Sequence, residues 1–346
     1  MRESFGYMNL SLSKHSIWIV LGILILTILV FYQNLFTNDL NNDRTKVGQG
    51  WSMEYDWSVQ VAEGTPLYPN EPSFIEGQTL AYMPIYFLVV GNLMKVLGTS
   101  AAVGKVVSTL AALGIALLIY KMGVKLTGRR LLSILPGVLF LIYPSMSNYS
   151  SEQMKIDILA LFFVTLSLYL VLDKKYLWSV PFAVLAFFTK QYYIALPITV
   201  MVYLLWKERR TLWSYLGLYS LLIAIGFGIG QYLTGGTFFR HVVLFMFQPQ
   251  FGEIVPSRIV WSSLICLAYL LPVLALAVYG LKKSGRLGLL GTYLVVSLLL
   301  MVVTLGKTGS GINYTFEPLV IACCLSSLVL VTGRHSNEVL ERNPVL

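Results

Sequence analysis

The sequence predicts an all-α polytopic membrane protein, a bundle of about ten transmembrane helices. Two observations predict it. Of the 346 residues, 56% are hydrophobic and only 12% are charged, and the mean hydropathy is +0.72. A soluble domain carries about a quarter charged residues, and a larger core does not remove the need for a polar surface. Second, apolar runs of near-spanning length recur along the chain, separated by short polar or basic segments. Lipid is the solvent that suits both.

The first run extends from Ile17 to about Gln33. Its basic flank is only Arg2 and Lys14, and no small-residue cleavage site follows, so an uncleaved helix is expected rather than a signal peptide. A polar stretch over 34–78 comes next. Further apolar runs lie near 79–97, 101–121, 131–147, 155–172, 176–189, 191–206, 212–233, 259–281, 287–305 and 312–332. Cys266, Cys323 and Cys324 all sit inside such runs, with neither metal spacing nor a disulfide framework.

The net charge of +9 is carried by short basic clusters between runs, which orients a membrane protein and argues against a nucleic-acid partner. The clusters are Lys121/Lys125/Arg129/Arg130, Lys174/Lys175, Lys207/Arg209/Arg210 and Lys282/Lys283/Arg286. Placing each in the cytoplasm and alternating the runs leaves 148–154, the region of Lys190, 234–258 and 306–311 outside. A span at 79–97 would break this parity. That segment, with Tyr82, Pro84, Tyr86, Asn92 and Lys95 spread through it, is expected to lie along the outer interface or to re-enter. The expected layout is a single membrane domain. It has a cytoplasmic N-terminus (1–16), an outer loop with an interfacial segment (34–100), a helical bundle (101–332) and a cytoplasmic tail (333–346).

The polar residues that stand out all fall on the expected outer side. The first loop carries Trp51-Ser52-Met53-Glu54-Tyr55-Asp56-Trp57 and later Tyr82-Met83-Pro84. Carboxylates among rings suit sugar chemistry, because rings stack on sugar faces and a carboxylate takes a proton from a hydroxyl. An interfacial aromatic belt explains the same residues. Asp157 opens a helix two residues after Lys155, where an acid also suits the helix dipole. Lys190, followed by Gln191, separates two runs too short for comfortable spans, and either snorkels or binds an anion. The turn Gly306-Lys307-Thr308-Gly309-Ser310-Gly311 precedes Asn313, Tyr314 and Glu317 at the top of a helix. Glycines and a helix N-terminus suit an anion, and a plain flexible turn fits too. His241 reads as structural, and no residues stand at metal spacing.

In this order the elements resemble the GT-C superfamily of membrane glycosyltransferases, most closely its protein O-mannosyltransferase-like and polyprenyl-phosphate-sugar-dependent members. The matching parts are Glu54-Tyr55-Asp56, Gly64 to Tyr68, Tyr82-Met83-Pro84, Gly104-Lys105, Lys155-x-Asp157-x-Leu159-Ala160, Thr189-Lys190-Gln191 and the turn ending in Asn313-Tyr314. A departure is Lys155, which stands where the oligosaccharyltransferases have the first acid of a pair. It disfavours a metal site and transfer of a whole oligosaccharide.

The resemblance implies transfer of one sugar, a hexose such as mannose, from a polyprenyl phosphate to a hydroxyl of a glycan, lipid or protein. Transfer inverts the linkage and takes place on the outer or lumenal face of a plasma or endoplasmic-reticulum membrane, with no cofactor. Asp56 is the expected base with Glu54 as the alternative. Lys105, Lys190 and Lys307 are the expected donor-phosphate ligands. Tyr82, Asp157, Gln191, Asn313 and Tyr314 are expected to line the donor and acceptor sites. A transporter or lipid flippase is the competing class; the acids and rings gathered in one outer loop and the lack of an inverted repeat count against it. The topology has a direct test. A single cysteine in place of Gly98 is expected to react with an impermeant thiol reagent from outside, and labelling from the cytoplasm would contradict the layout.

Overall fold

The computed structural model describes residues 51–69, 80–143, 154–247, 254–284, 288–307 and 310–330. The expected first helix and both expected tails lie outside these residues. Among the described residues the chain forms helices and no β-strand; an isolated antiparallel bridge joins Ile254 and Lys307. Two short helices come first, α1 (Trp51–Glu63) and α2 (Ile85–Leu97). The bundle follows as α3 (Ala101–Thr127), α4 (Ile134–Ile142), α5 (Ile156–Leu172), α6 (Tyr176–Thr189), α7 (Ala195–Lys207) and α8 (Arg209–Leu233). It closes with α9 (Phe238–Val242), α10 (Pro256–Ser284), α11 (Gly288–Leu305) and α12 (Phe316–Ser326).

Local signals set several boundaries. Ser100 caps α3 by accepting from the Ala102 N–H at 3.2 Å. Gly128 ends the same helix at φ 69°, the left-handed turn that favours glycine. Between α2 and α3, Gly98 also takes a positive φ, 94°, so its exposed neighbour Thr99 is the better place for a cysteine label.

Every run expected between 101 and 332 has its helix, but their lengths differ. Among the described residues, five segments are long and apolar enough to cross a membrane: Ala101–Thr127, Arg209–Leu233, Pro256–Lys282, Gly288–Leu305 and Ile312–Val329. Of the shorter ones, α5 has 17 residues, α6 has 14 and α7 has 13. The run near 131–147, expected as a span, yields a helix of only 9 residues in α4. Its first residues go instead to a turn in which Ser133 donates to the Arg129 carbonyl at 2.7 Å and bonds Thr127.

Burial shows which helices face lipid. Every residue of α12 is buried, and α12 packs on α3, α4, α5, α10 and α11 as the central post. On α8 only Leu212 and Tyr215 are buried. The exposed faces of α8 and α10 are rows of leucine, isoleucine and valine, too large a patch for water. Trp213 and Tyr232 are both exposed on α8, and the nineteen residues between them rise about 29 Å, close to a hydrocarbon core of about 30 Å.

The bundle has two chemically different ends. At one, Lys125 at the end of α3 pairs with Asp173 after α5, and exposed Trp178, Trp206 and Trp213 stand within a few residues of Lys175, Lys207 and Arg210. At the other end lie the starts of α3, α5, α7 and α12 and the ends of α6 and α11. Helices α6 and α7 pack on α8, which runs the full thickness, while they rise only about 20 Å each. The Phe188 ring lies against Gly226, six residues or about 9 Å before Tyr232. The α6–α7 junction is thus sunk below the rim of the bundle, and everything polar on it is drawn into apolar depth.

Candidate active site

The junction is the five residues from Lys190 to Ile194. The chain turns tightly there, with the Tyr193 N–H donating to the Lys190 carbonyl at 3.2 Å and the Ile194 N–H to the Tyr192 carbonyl at 2.8 Å. Four consecutive side chains reach three other pieces of chain. Lys190 Nζ donates to Asp157 Oδ1 at 2.6 Å. Gln191 Nε2 donates to the Ala81 carbonyl at 2.9 Å, Tyr192 Oη to the Tyr314 carbonyl at 3.2 Å and Tyr193 Oη to the Asp157 carbonyl at 3.1 Å.

Lys190 and Asp157 are 6% and 2% exposed, so each charge at this depth depends on the other. Asn313 Nδ2 adds a bond to the same Asp157 oxygen at 3.1 Å. The ammonium also stands 5.8 Å from the centre of the Tyr82 ring and 5.5 Å from that of Tyr314, within range of a cation–π attraction. Asp157 does lie in the first turn of α5, as the dipole argument expects, but its side chain is turned inward to this pair.

A second ion pair lies alongside. Lys155 Nζ is 3.3 Å from Glu54 Oε1 on α1, with both side chains largely buried. Ser108 on α3 fixes the Lys155 backbone, accepting from its N–H at 3.2 Å. Lys105 is three residues before Ser108 and 3% exposed, at the same end of α3. Close packing sets the height and rotation of α1. A Cβ at Gly91 of α2 would come within 2.6 Å of the Ser58 carbonyl oxygen, so only glycine lets the two helices approach this far. With that rotation Glu54 points at Lys155 and Asp56 is exposed. Burial raises the Glu54 pKa above the ordinary glutamate range, Lys155 opposes the rise and Asp157 adds to it.

Lys307 is half-buried in the turn after α11, with Ile254 bridged to it. Burial lowers its pKa, and repulsion from Lys190 lowers it further. The two ammonium groups are thus close enough to oppose each other. The structure therefore gathers Glu54, Tyr82, Asp157, Lys190, Gln191, Asn313, Tyr314 and Lys307 into one recess. Asp56, two residues after Glu54 on α1, is exposed. Thr308 and Gly309 are outside the described residues.

The sequence did not reveal what holds the recess roof. Thr237 donates to the Tyr68 carbonyl at 2.9 Å, His241 Nε2 to the Pro69 carbonyl at 3.0 Å, and Tyr68 Oη to the Tyr82 carbonyl at 2.8 Å. The stretch around α9, expected only to lie outside, clasps the outer loop. Beside the clasp an apolar cavity of about 860 Å³ opens between Leu67, Ile85, Phe188, Ile229 and Phe238. Among the described residues no three His, Cys, Asp or Glu side chains cluster as a metal site requires.

The described residues form a membrane fold with a buried helical post, lipid-facing outer helices and a polar recess at one end. Two solved structures share it. ArnT from Cupriavidus metallidurans bound to undecaprenyl phosphate superposes with a TM-score of 0.68 at 12% identity, covering 93% of this chain and 62% of that one. The same protein in the apo state gives 0.64 at 14% identity, covering 93% and 61%. This chain thus spans about three fifths of the length of ArnT. No protein-family model and no curated protein sequence matches it.

The site makes its own demand on stability. Lys190→Met leaves Asp157 charged and buried, and removing one partner of such a pair costs about 3–5 kcal/mol. The double variant Lys190→Met/Asp157→Asn is expected to recover at least half of that loss in thermal unfolding in detergent. A double variant as unstable as the single one would show that the pair is not what the fold depends on.

Proposed function

We propose that this chain is a membrane glycosyltransferase that moves one sugar from a polyprenyl-phosphate donor to an acceptor hydroxyl, inverting the linkage. The observation that carries the reading is the recess itself. A largely buried carboxylate, Glu54, held by Lys155 at 3.3 Å, lies beside the buried pair of Lys190 and Asp157 at 2.6 Å, and half-buried Lys307 lies where Lys190 repels it. ArnT, with the same fold, was solved bound to undecaprenyl phosphate, which supports a lipid phosphate as the ligand.

The chemistry follows from these groups. A phosphate brought near Lys190 and Lys307 relieves their repulsion, and Lys105 at the same end adds positive charge. The acceptor oxygen attacks the anomeric carbon and its proton passes to Glu54. The bond from that carbon to the phosphate oxygen breaks, and polyprenyl phosphate leaves with the electron pair. Negative charge grows on the leaving phosphate, so cations already in place stabilise the transition state. Lys155 holds one Glu54 oxygen at 3.3 Å, and the other faces the acceptor. Tyr82 and Tyr314 offer ring faces to the sugars, and Gln191 and Asn313 offer amides. The apolar cavity beside Ile85 and Phe188 takes the isoprenoid chain.

The energy of transfer is stored in the donor, so neither a nucleotide nor a divalent metal is invoked; Lys155 supplies a positive charge beside Asp157 instead. The recess faces the outer or lumenal side, because the basic end belongs in the cytoplasm. A mannosyl donor, named by the sequence resemblance, is the first to assay, against glycan, lipid and protein acceptors.

Glu54 replaces Asp56 as the proposed base, since Glu54 is largely buried against Lys155 while Asp56 is exposed. Glu54→Gln is expected to lower transfer by about 10²–10⁴-fold, and Asp56→Asn to leave it within about threefold of the starting rate. The base works deprotonated. Activity is therefore expected to fall as pH drops through the raised Glu54 pKa, above the usual glutamate value of 4.5. Kinetics of the purified protein in nanodiscs decide it: a dead Asp56→Asn beside an active Glu54→Gln would reverse the assignment, and two active variants would refute the enzymatic reading of α1.

A further inference from the structure

Tyr68 joins the polar recess to the apolar cavity beside it. The cavity reaches from Phe188, two residues before Lys190, to Pro84, two residues after Tyr82, and Tyr68 stands in its wall. Tyr68 is 4% exposed although it lies in the loop after α1, outside any helix. Its backbone is held by α9 and the residue before it. The Tyr68 carbonyl accepts from Thr237 Oγ1 at 2.9 Å, and the carbonyl of the next residue, Pro69, accepts from His241 Nε2 at 3.0 Å. Its ring meets Phe238 and His241 edge to face, with centres 5.2 and 5.5 Å away. Its hydroxyl donates to the Tyr82 carbonyl at 2.8 Å.

That last bond matters because the segment 80–84 belongs to no helix or strand. Side chains from elsewhere hold two consecutive carbonyls of it, Ala81 by Gln191 at 2.9 Å and Tyr82 by Tyr68. Between these two anchors the Tyr82 ring stands 5.8 Å from Lys190 Nζ. Without the Tyr68 hydroxyl the segment keeps the Gln191 anchor alone, and the ring is freer to leave the ammonium. The cavity supplies the other half of the link. Its walls include Leu67 and Tyr68 of the loop and Phe238 of α9, so an apolar chain finds full contact only while loop and α9 are clasped. A ligand favours the arrangement in which it makes more contact.

We propose that Tyr68 is a positioning residue that makes transfer depend on the donor's tail length. An isoprenoid chain filling the cavity keeps Tyr68 in place, and the Tyr68 hydroxyl keeps Tyr82 against Lys190. The inference rests on the glycosyltransferase reading for its effect on rate, but the link between cavity and loop does not. A long tail on this account does more than anchor the donor: it completes the recess in which the head group reacts.

Tyr68→Phe keeps the ring, and with it the cavity wall, and loses only the hydroxyl. Transfer in nanodiscs is measured from undecaprenyl phosphate mannose and from citronellyl phosphate mannose, which share a head group and differ in tail. In the unmodified protein the long tail is expected to lower KM and also to raise kcat about tenfold. In Tyr68→Phe the gain in kcat is expected to shrink to about twofold or less while the gain in KM stays. A role in packing alone would leave the kcat ratio where it was. Equal kcat for both donors in the unmodified protein, or a kcat gain undiminished in Tyr68→Phe, overturns the proposal. Thr237→Val removes the hydroxyl that holds the Tyr68 carbonyl; the same loss of kcat gain is expected, and this variant decides if the phenylalanine protein does not fold. Hydrogen exchange over residues 80–83 reads the link without catalysis. Undecaprenyl phosphate is expected to slow it in the unmodified protein and not in Tyr68→Phe, and equal slowing in both overturns the proposal. If neither donor is used while this exchange difference holds, the proposed function fails and the link stands.

Discussion

A lysine and an aspartate buried side by side, below the rim of a lipid-facing bundle, constrain the rest of this structure. Lys190 and Asp157 stand 2.6 Å apart with almost no access to solvent. Neither charge is tolerable there alone. For them to meet, α6 has to end early and α7 has to begin late, so both helices are too short to span. The turn between them must then satisfy its own backbone in apolar surroundings. It does so in part by two tight turns, and its side chains tie it to α5, the loop before α2 and the turn before α12. The recess is what remains above this junction, and the functional groups are its walls.

Much of the helical layout was legible in the sequence, because lipid leaves a chain few choices. A spanning segment must satisfy its backbone internally and be apolar along its length, and both requirements show in composition. Lys190 stood out for the same reason, as a cation between two runs of unsuitable length. Its pairing with Asp157 did not, since Asp157 is 33 residues earlier and only the packing of α5 on α6 joins them. The choice between Glu54 and Asp56 was likewise out of reach. Residues two apart sit about 200° apart around a helix, so one faces inward and the other outward. Which one is decided by the close approach of Gly91 to Ser58, a tertiary contact with no periodic signature. The clasp from Thr237 and His241 to Tyr68 and Pro69 was hidden for the same reason.

The electrostatics of the recess are poised for an anion. Each fixed carboxylate already has a cationic partner, Asp157 with Lys190 and Glu54 with Lys155. Lys307 stands against Lys190, and its ammonium is disfavoured by burial and by that neighbour. On the proposed function, an arriving phosphate would turn this unfavourable arrangement into a favourable one, as preorganised charge does when it lowers a barrier. The shared fold with ArnT at 12–14% identity shows that the helical layout can persist while most side chains change.

That poise is open to one direct measurement. Undecaprenyl phosphate and the uncharged alcohol undecaprenol have the same isoprenoid chain and differ only in the head group. Titrated separately into the purified protein in nanodiscs, and followed by native mass spectrometry, they isolate what the recess recognises. The phosphate is expected to bind at least tenfold more tightly than the alcohol, the gain of one charge-assisted contact of about 1.5 kcal/mol or more. Equal affinities would mean that the apolar cavity alone takes up the lipid, and would contradict the assignment of Lys190 and Lys307 to a phosphate.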